Sequence, residues 1–221
     1  MKIVVTAGPT REYLDPVRFL SNPSTGKMGF AIAAEAARRG HAVTLVAGPV
    51  ALKAPKGVHR VDVVSAREML AAVEGTVRTS GTSKTSRTVV IGTAAVADWR
   101  PAKCAAKKLK KGEMSGVLKL VRNPDILKAI DSYRRRSKAV GLRLVGFAAE
   151  TNDVLKEASR KCREKGLSFI VANDVSEKGC GFGTDTNRVT FVFPDGRQRK
   201  FPLMTKRMVA KKILEEIENE E

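Results

Sequence analysis

Residues 3–11 read IVVTAGPTR, and residues 26–40 read GKMGFAIAAEAARRG. The first stretch begins with a short apolar run that is typical of a buried strand. The second carries small apolar residues along its length and ends at Gly40, which predicts a helix from Gly26 to Arg39 with a glycine at its C-terminal end. A buried strand followed by such a helix is characteristic of α/β proteins.

The same alternation of strand and helix continues along most of the chain. It predicts further strands at 43–46, 61–64, 88–91, 144–147 and 169–172, and further helices at 66–77, 125–136 and 154–165. Strands that alternate with helices favour a parallel sheet with right-handed crossovers. We therefore predict an α/β fold with a doubly wound, mostly parallel, Rossmann-like sheet.

The C-terminal part of the chain has a different pattern. Segments 188–193 and 198–203 flank Pro194-Asp195-Gly196, and an Asp-Gly pair between alternating strands predicts an antiparallel hairpin. An amphipathic helix is predicted from Thr205 to Glu218. A chain of 221 residues without internal repeats is of the size expected for one domain, 1–221, with the hairpin arm at about 180–203.

The composition is that of a globular protein with a large excess of positive charge. No apolar run approaches the roughly 20 residues of a membrane span, and no secretory signal precedes the first strand, so we expect a cytoplasmic protein without a membrane partner. The cysteines, Cys104, Cys162 and Cys180, lack the spacing of a zinc site or a disulfide framework. The 41 Lys and Arg against 23 Asp and Glu give a net charge of +18, which would attract a nucleotide, a phosphorylated substrate or nucleic acid.

The connection after the first strand is a candidate anion site. It lacks the G-x-G-x-x-G fingerprint of dinucleotide-binding proteins. It does deliver Ser24, Thr25 and Gly26 to a helix N-terminus, where free N–H groups and the helix dipole favour negative charge. Ser24 or Thr25 could instead do no more than cap the helix. Asn22 is expected to face the crevice in which open parallel sheets bind their ligands.

Two further stretches could contact a ligand. The small residues of Ala94–Asp98, at the end of a predicted strand, would let a ligand approach the backbone, and Asp98 could hold a cation, accept a ligand hydroxyl or cap a turn. The run Lys107–Lys111 is either a solvated face or a flexible loop that closes over a triphosphate. Segments 78–87 and 103–115 are both predicted to be mobile surface loops.

Two helix ends also carry suitable groups. Asn123–Leu127 begins a helix with proline near its first turn, and its backbone could bind an anion or simply start the helix. Lys161 and Lys165 lie four residues apart, on one face of a helix. They could clamp a phosphate or merely place favourable charges at the end of that helix.

Taken together, these segments resemble one family, the synthetase domain of the bacterial enzymes that make phosphopantothenoylcysteine. Each matching stretch is weak alone, but all occur in the order of the family over nearly the whole chain. Pro23 and Thr25 depart from the loop of the family. The matching stretches are 5–11, 14–18, 21–22, 24–29, 94–98, 108–111, 123–126, 146–151, 172–176 and 181–182, with Asp185 and Asn187.

The resemblance implies a ligase that condenses 4'-phosphopantothenate with L-cysteine through an acyl-cytidylate, using CTP and Mg²⁺ and releasing pyrophosphate and CMP. It implies that Asn22 holds the acyl-cytidylate, that Arg18 is its partner in the loop, and that Lys108 neutralises phosphate charge. Implied substrate contacts are Asn22, Ser24, Thr25 and Gly26. Implied nucleotide contacts are Ala95, Asp98, Lys108, Pro124, Asp125, Ile126, Leu127, Phe147, Lys161 and Lys165, with Asp98 also as the metal ligand.

The resemblance further implies a homodimer, with the hairpin around 194–196 and the segment around Phe182 reaching the partner subunit. It implies a flavin-dependent decarboxylase as a fused or separate partner. A short-chain nicotinamide-dependent reductase would share the architecture, but neither Tyr13 nor Tyr133 is followed by the lysine of a Tyr-x-x-x-Lys pair. Nucleic acid is also disfavoured as a partner, because no aromatic residue lies within 103–111.

Overall fold

The computed structural model describes residues 1–79, 87–113, 116–150, 152–177 and 179–219. Most of the predicted loop 78–87 and the end of the predicted loop 103–115 lie outside the described residues, and so does Thr151. In chain order the elements are β1 (Lys2–Ala7), β2 (Arg11–Tyr13), β3 (Phe19–Ser21), α1 (Lys27–Arg38), β4 (Ala42–Ala47), β5 (Val58–Asp62), α2 (Ala66–Thr79), β6 (Thr88–Gly92), β7 (Trp99–Pro101), β8 (Leu120–Arg122), α3 (Ile126–Ser137), β9 (Leu142–Glu150), α4 (Val154–Glu164), β10 (Phe169–Asp174), β11 (Thr186–Asn187), β12 (Val189–Val192), β13 (Gln198–Lys200), β14 (Met204–Thr205) and α5 (Lys206–Asn219).

A sheet of eight strands forms the centre of the molecule, in the order β13-β12-β10-β9-β6-β1-β4-β5. The six strands from β10 to β5 in this order are all parallel. Among them, the first strand in the chain lies beside the second on one side and beside the fourth on the other, which is the strand order of the Rossmann fold. The predicted doubly wound α/β fold is confirmed. The strand order reverses between β1 and β6, so a crevice is expected beyond their carboxyl ends.

Helices cover both faces of the sheet. Alternate residues of β1 point to opposite faces: Ile3 and Val5 pack with α1 and α5, whereas Val4 packs with α2, α3 and α4. All three of these β1 side chains are at most 1% exposed. This burial on both faces explains why the parallel strands appear in the sequence as short, continuous apolar runs.

The predicted C-terminal hairpin is present and lies within the main sheet. β12 pairs antiparallel with β10, and β13 pairs antiparallel with β12. Gly196 adopts a φ of +89° in the turn between them, a conformation that favours glycine. β13 is exposed along its whole length and carries Gln198, Arg199 and Lys200, and such charged edges discourage further strand pairing. That the hairpin reaches a partner subunit stays a prediction.

The sequence did not predict the small sheets beside the crevice. β2 pairs with β3, and β7 pairs with β8, both antiparallel. Glu12, in the centre of β2, is only 4% exposed, and its carboxylate accepts the N–H of Ala66 at 2.9 Å, at the start of α2. The β2–β3 hairpin is therefore fixed to the body of the domain by a helix cap.

Candidate functional site

A cavity of about 420 Å³ opens beyond the carboxyl ends of β6 and β9. It lies beside the strand-order reversal, where ligands are expected in an open parallel sheet. Nine of the residues predicted for the site line it: Asn22, Ala95, Asp98, Pro124, Asp125, Ile126, Leu127, Phe147 and Lys165. These nine residues make up half of the lining of one concave, mixed polar and apolar surface.

Three threonines that were not among the predicted site residues support the wall of this cavity. The Thr93 hydroxyl donates to the carbonyl of Thr6 at 2.6 Å, and the Thr6 hydroxyl accepts the N–H of Ala94 at 3.3 Å. The fully buried Thr10 accepts the N–H of Ala97 at 3.0 Å through its own hydroxyl. These bonds join β1 and the segment after it to the segment that follows β6, so the cavity wall is held by residues from both sides of the crevice.

Asn22 lies against the same wall. Its side-chain amide donates to the carbonyl of Ala95 at 3.0 Å, and the N–H of Ala95 donates to the carbonyl of Gly8 at 2.9 Å. These bonds fix the Asn22 side chain at the rim of the cavity. Ser21, just before it, donates its hydroxyl to the carbonyl of Thr10 at 2.8 Å, which secures the backbone at this point.

A smaller pocket of about 70 Å³ lies at the N-terminus of α1 and is lined by Ser24, Thr25 and Gly26. Gly26 is the N-cap residue, with a φ of +78°, and no side chain caps the helix. The possibility that Ser24 or Thr25 serves to cap α1 is therefore wrong; the Ser24 hydroxyl instead accepts the N–H of Gly26 at 3.3 Å. An uncapped helix N-terminus presents N–H groups and positive dipole charge, which suit an anion.

Asn173 is a candidate ligand contact that lies in one of the stretches resembling the family, 172–176, but was not among the predicted site residues. It is 6% exposed and lines the smaller pocket. Its amide nitrogen donates to Asn187 at 3.2 Å, but its side-chain oxygen has no partner among the described residues. Buried acceptors are rarely left unpaired in proteins, so this oxygen is suited to accept a hydrogen bond from a ligand.

The glycine-rich segment 179–184 adjoins the smaller pocket and is held by buried polar groups. Lys206 donates to the carbonyls of Gly181 at 3.1 Å and Thr184 at 2.5 Å. Burial, reinforced by the nearby Lys27, lowers the pKa of Lys206. These contacts hold Phe182, which lines both pockets and stands 45% exposed between them.

The two lysines near the end of α4 differ in their surroundings. Lys165 lines the larger cavity and forms an ion pair with Asp125 at 2.8 Å. The Asp125 carboxylate also accepts the N–H of Lys128 at 3.1 Å, which caps α3. Lys161 pairs with Glu150 at 2.5 Å and is not among the residues that line the cavity. Of the two lysines predicted to clamp one phosphate, Lys165 lines the larger cavity in this structure and Lys161 does not.

Two predicted catalytic residues, Arg18 and Lys108, are also absent from the lining of the two pockets. Lys108 is exposed on its loop. The Arg18 guanidinium binds the Asp15 carboxylate at 2.5 Å and the carbonyl of Leu109 at 3.0 Å. Hydrogen bonding to Arg18 holds the pKa of Asp15 well below its usual range. The loop predicted to be mobile is thus attached to the β2–β3 hairpin at Leu109.

Asp98 is exposed at the mouth of the larger cavity. Within the described part of the chain, no three His, Cys, Asp or Glu side chains are grouped as they would be to hold a metal ion. A single carboxylate nevertheless fits Mg²⁺, which is commonly held by one or two carboxylates together with substrate phosphates.

The described residues include no helix that is long and apolar enough to cross a membrane.

Residues 1–220 match the family described as the DNA/pantothenate metabolism flavoprotein C-terminal domain. The chain belongs to this family. Its relatives include the coenzyme A biosynthesis bifunctional protein CoaBC of Escherichia coli K12, 47% identical over 98% of this chain, and that of Bacillus subtilis 168, 46% identical over 97%. The chain spans about half the length of these relatives, 51% and 50% respectively.

A solved structure of the C-terminal domain of CoaBC has the same fold. It aligns with a TM-score of 0.79 at 42% identity, over 98% of this chain and 93% of that one. The Rossmann-like arrangement of sheet and helices is therefore shared with this relative.

Proposed function

We propose that this chain is a phosphopantothenate–cysteine ligase of coenzyme A biosynthesis. The observation that carries the proposal is the near full-length match to the C-terminal half of CoaBC, a protein named for coenzyme A biosynthesis. The finer proposal is that CTP activates 4'-phosphopantothenate as an acyl-cytidylate, with loss of pyrophosphate. The amine of L-cysteine then attacks the acyl carbon and releases CMP.

The two adjoining pockets support this chemistry. The nucleotide is proposed to occupy the larger cavity, with its base and ribose near Phe147 and residues 124–127 and with Lys165 facing phosphate oxygens. The uncapped N-terminus of α1, beside Ser24, Thr25 and Gly26, would bind a further phosphate group. The side-chain oxygen of Asn173 would accept a hydrogen bond from the ligand whose phosphate is bound in this smaller pocket.

The catalytic role is proposed for Asn22, which lies at the rim of the cavity. It would orient the activated carbonyl for attack, because a side chain fixed by the Ala95 carbonyl keeps the acyl group in place. Lys108 would neutralise charge that develops on the phosphates, which requires its exposed side chain to reach toward the cavity. Mg²⁺, held by Asp98 and phosphate oxygens, would supply further charge neutralisation.

The test is pyrophosphate release by purified protein with Mg²⁺, 4'-phosphopantothenate and CTP, with and without cysteine, beside an ATP control. Release that requires phosphopantothenate and prefers CTP is expected. Asn22→Ala should slow product formation, whereas Asn219→Ala, an exposed asparagine at the end of α5, should match the wild type. Folded protein that releases no pyrophosphate with either nucleotide would refute the proposal.

The proposed partners are a second copy of the chain and a flavin-dependent decarboxylase. The decarboxylase would correspond to the other half of the bifunctional relatives, fused to this chain or separate from it. We expect sedimentation equilibrium to give about twice the 23.9 kDa of one chain, in agreement with a cytoplasmic homodimer. A single-chain mass at micromolar concentration would contradict the dimer and leave the ligase proposal to its own test.

A further inference from the structure

We propose that Asp15 is a positioning residue that, together with Arg18, holds the lysine-rich loop 103–111 against the hairpin that carries Asn22. This inference rests on the proposed function for its kinetic consequence, but its structural content can be tested without any substrate. The pair of Asp15 and Arg18 is called the clasp below.

The Asp15 carboxylate is fully buried and accepts hydrogen bonds both from its own turn and from the lysine-rich loop. One oxygen accepts the backbone N–H groups of Val17 at 2.9 Å and Arg18 at 2.8 Å. The other accepts the Arg18 guanidinium and, at 3.2 Å, the N–H of Leu109. Because Arg18 also donates to the carbonyl of Leu109, the main chain of this loop residue is held at both its donor and its acceptor.

The contact with Leu109 goes beyond what the turn itself needs. The N–H groups of Val17 and Arg18 and the guanidinium would already satisfy a carboxylate whose only task was to shape the turn after β2. The further bond reaches across 94 positions of sequence to a loop in which Lys107, Lys108 and Lys110 are exposed. Like charges this close repel one another and favour an extended loop, which the clasp opposes.

A second hydrogen bond attaches the loop to the hairpin beside the one from Leu109 to Asp15. The N–H of Ala105 donates to the carbonyl of Leu14 at 2.8 Å, so both bonds end on the same turn of the hairpin. The other end of that hairpin is β3, which leads directly into Asn22 at the cavity rim. Lys108 is next to Leu109, the loop residue that the clasp holds. The hairpin therefore connects Lys108 to Asn22, so the position of one depends on the position of the other.

A positioning role predicts a specific kinetic defect. Displacing a charged group by about 1 Å can cost on the order of 100-fold in rate. For Asp15→Asn we expect the kcat of pyrophosphate release to fall roughly 10- to 100-fold with little change in the KM for nucleotide, because the interaction acts on developing charge rather than on ground-state binding.

The direct measurement is hydrogen exchange of segment 103–113 in the full chain without ligands. Asp15→Asn should speed exchange there about ten-fold or more, because the Leu109 N–H loses its carboxylate acceptor and Arg18, which binds the Leu109 carbonyl, loses its charged partner. The matched control is Glu12→Gln, another buried carboxylate of the same hairpin, which caps α2 rather than the loop. It should lower the melting temperature and leave exchange in 103–113 unchanged.

A second pair of variants tests the clasp from the loop side, without altering the buried carboxylate. Leu109→Pro removes the N–H that Asp15 accepts, whereas Leu109→Ala keeps it. Leu109→Pro should reproduce the kinetic defect of Asp15→Asn with little loss of stability, and Leu109→Ala should resemble the wild type.

The outcomes separate the clasp from the proposed function. Unchanged exchange of 103–113 in Asp15→Asn, or activity of Leu109→Pro equal to that of an active wild type, would overturn the positioning role. Faster exchange in a protein that shows no ligase activity would support the structural clasp while refuting the ligase proposal.

Discussion

Replacing Gly29 by alanine tests how closely the first turn of α1 approaches the sheet. A Cβ at this position would lie 2.5 Å from the Cβ of Ala7, 2.5 Å from the hydroxyl of Thr93 and 3.1 Å from the carbonyl of Thr6. Ala7 is fully buried in β1, and the Thr93 hydroxyl already donates to Thr6. Because carbon atoms normally pack at about 3.5–4.0 Å, the helix would have to retreat by roughly 1 Å.

The expected change in the free energy of unfolding is the sum of two opposing contributions. Overpacking of a well-packed interior typically costs about 1–3 kcal/mol. Alanine in place of glycine within a helix returns about 0.5–1 kcal/mol, because the unfolded chain loses less entropy on folding. We therefore expect Gly29→Ala to lower the free energy of unfolding by roughly 1–2 kcal/mol, which lowers Tm by about 2–8 °C in a chain of this size.

Gly75 provides the matched control. It lies within α2 and is exposed, and an added Cβ would have no heavy atom within 4 Å. Gly75→Ala should therefore show only the stabilisation that alanine gives in place of glycine within a helix, and it should raise Tm by about 1–4 °C. Calorimetry or thermal denaturation of both variants measures the difference. If Gly29→Ala raised Tm as Gly75→Ala does, the close approach of α1 to β1 and β6 would be refuted.

Lys165→Ala should raise the KM for nucleotide roughly 10- to 100-fold in the pyrophosphate assay, because a charged hydrogen bond is worth about 1.5–3 kcal/mol; an unchanged KM would exclude contact with the nucleotide. Hydrogen bonding to Arg38 lowers the pKa of Glu35 from 4.5 to about 2, so its stabilising contribution is complete above pH 4.5 and is lost as the pH falls toward 2. Urea titrations of Glu35→Gln should therefore show a weaker fall in stability over this range, and equal slopes for both proteins would contradict the pairing. A thiol reagent at neutral pH should label the exposed Cys104 in the native protein, whereas the buried Cys162, whose pKa burial raises to about 11, should react only after denaturation. Peptide mass spectrometry distinguishes the two sites, and native labelling of Cys162 would be inconsistent with its burial.

The main elements of the fold were predictable because their signals are local. The apolar runs of buried strands and the caps of helices are each formed by residues that are neighbours in the sequence. The predicted and observed bounds agree to within a few positions, as for α1, predicted at 26–39 and found at Lys27–Arg38. The strand predicted at 61–64 is found at Val58–Asp62, because the charged and half-exposed edge strand β5 lacks a clear apolar run. The small sheets of β2 to β3 and β7 to β8 escaped prediction, since each strand has only three residues.

The site was predictable where it follows strand ends and helix starts. Asp98 follows β6 and residues 124–127 begin α3 in the same crossover, and the two segments are joined by the bond from the Asn123 N–H to the Asp98 carbonyl. Long-range pairing was not predictable from the sequence: nothing in the residues around Asp15 indicates that it accepts the N–H of Leu109. The unpaired oxygen of Asn173 is likewise visible only once its neighbours are known.

The sharing of one face of the sheet by α1 and α5 has a consequence for the order of events during synthesis. α1 leaves the ribosome before α5, yet Phe30 and Ile32 of α1 belong to the same apolar cluster as Val209, Ile213 and Ile217 of α5. Phe191 in β12 and its neighbours stay uncovered on that face until α5 emerges. A nascent chain that stalls before residue 209 therefore displays an apolar surface suited to chaperone binding, and the domain closes only with its final helix.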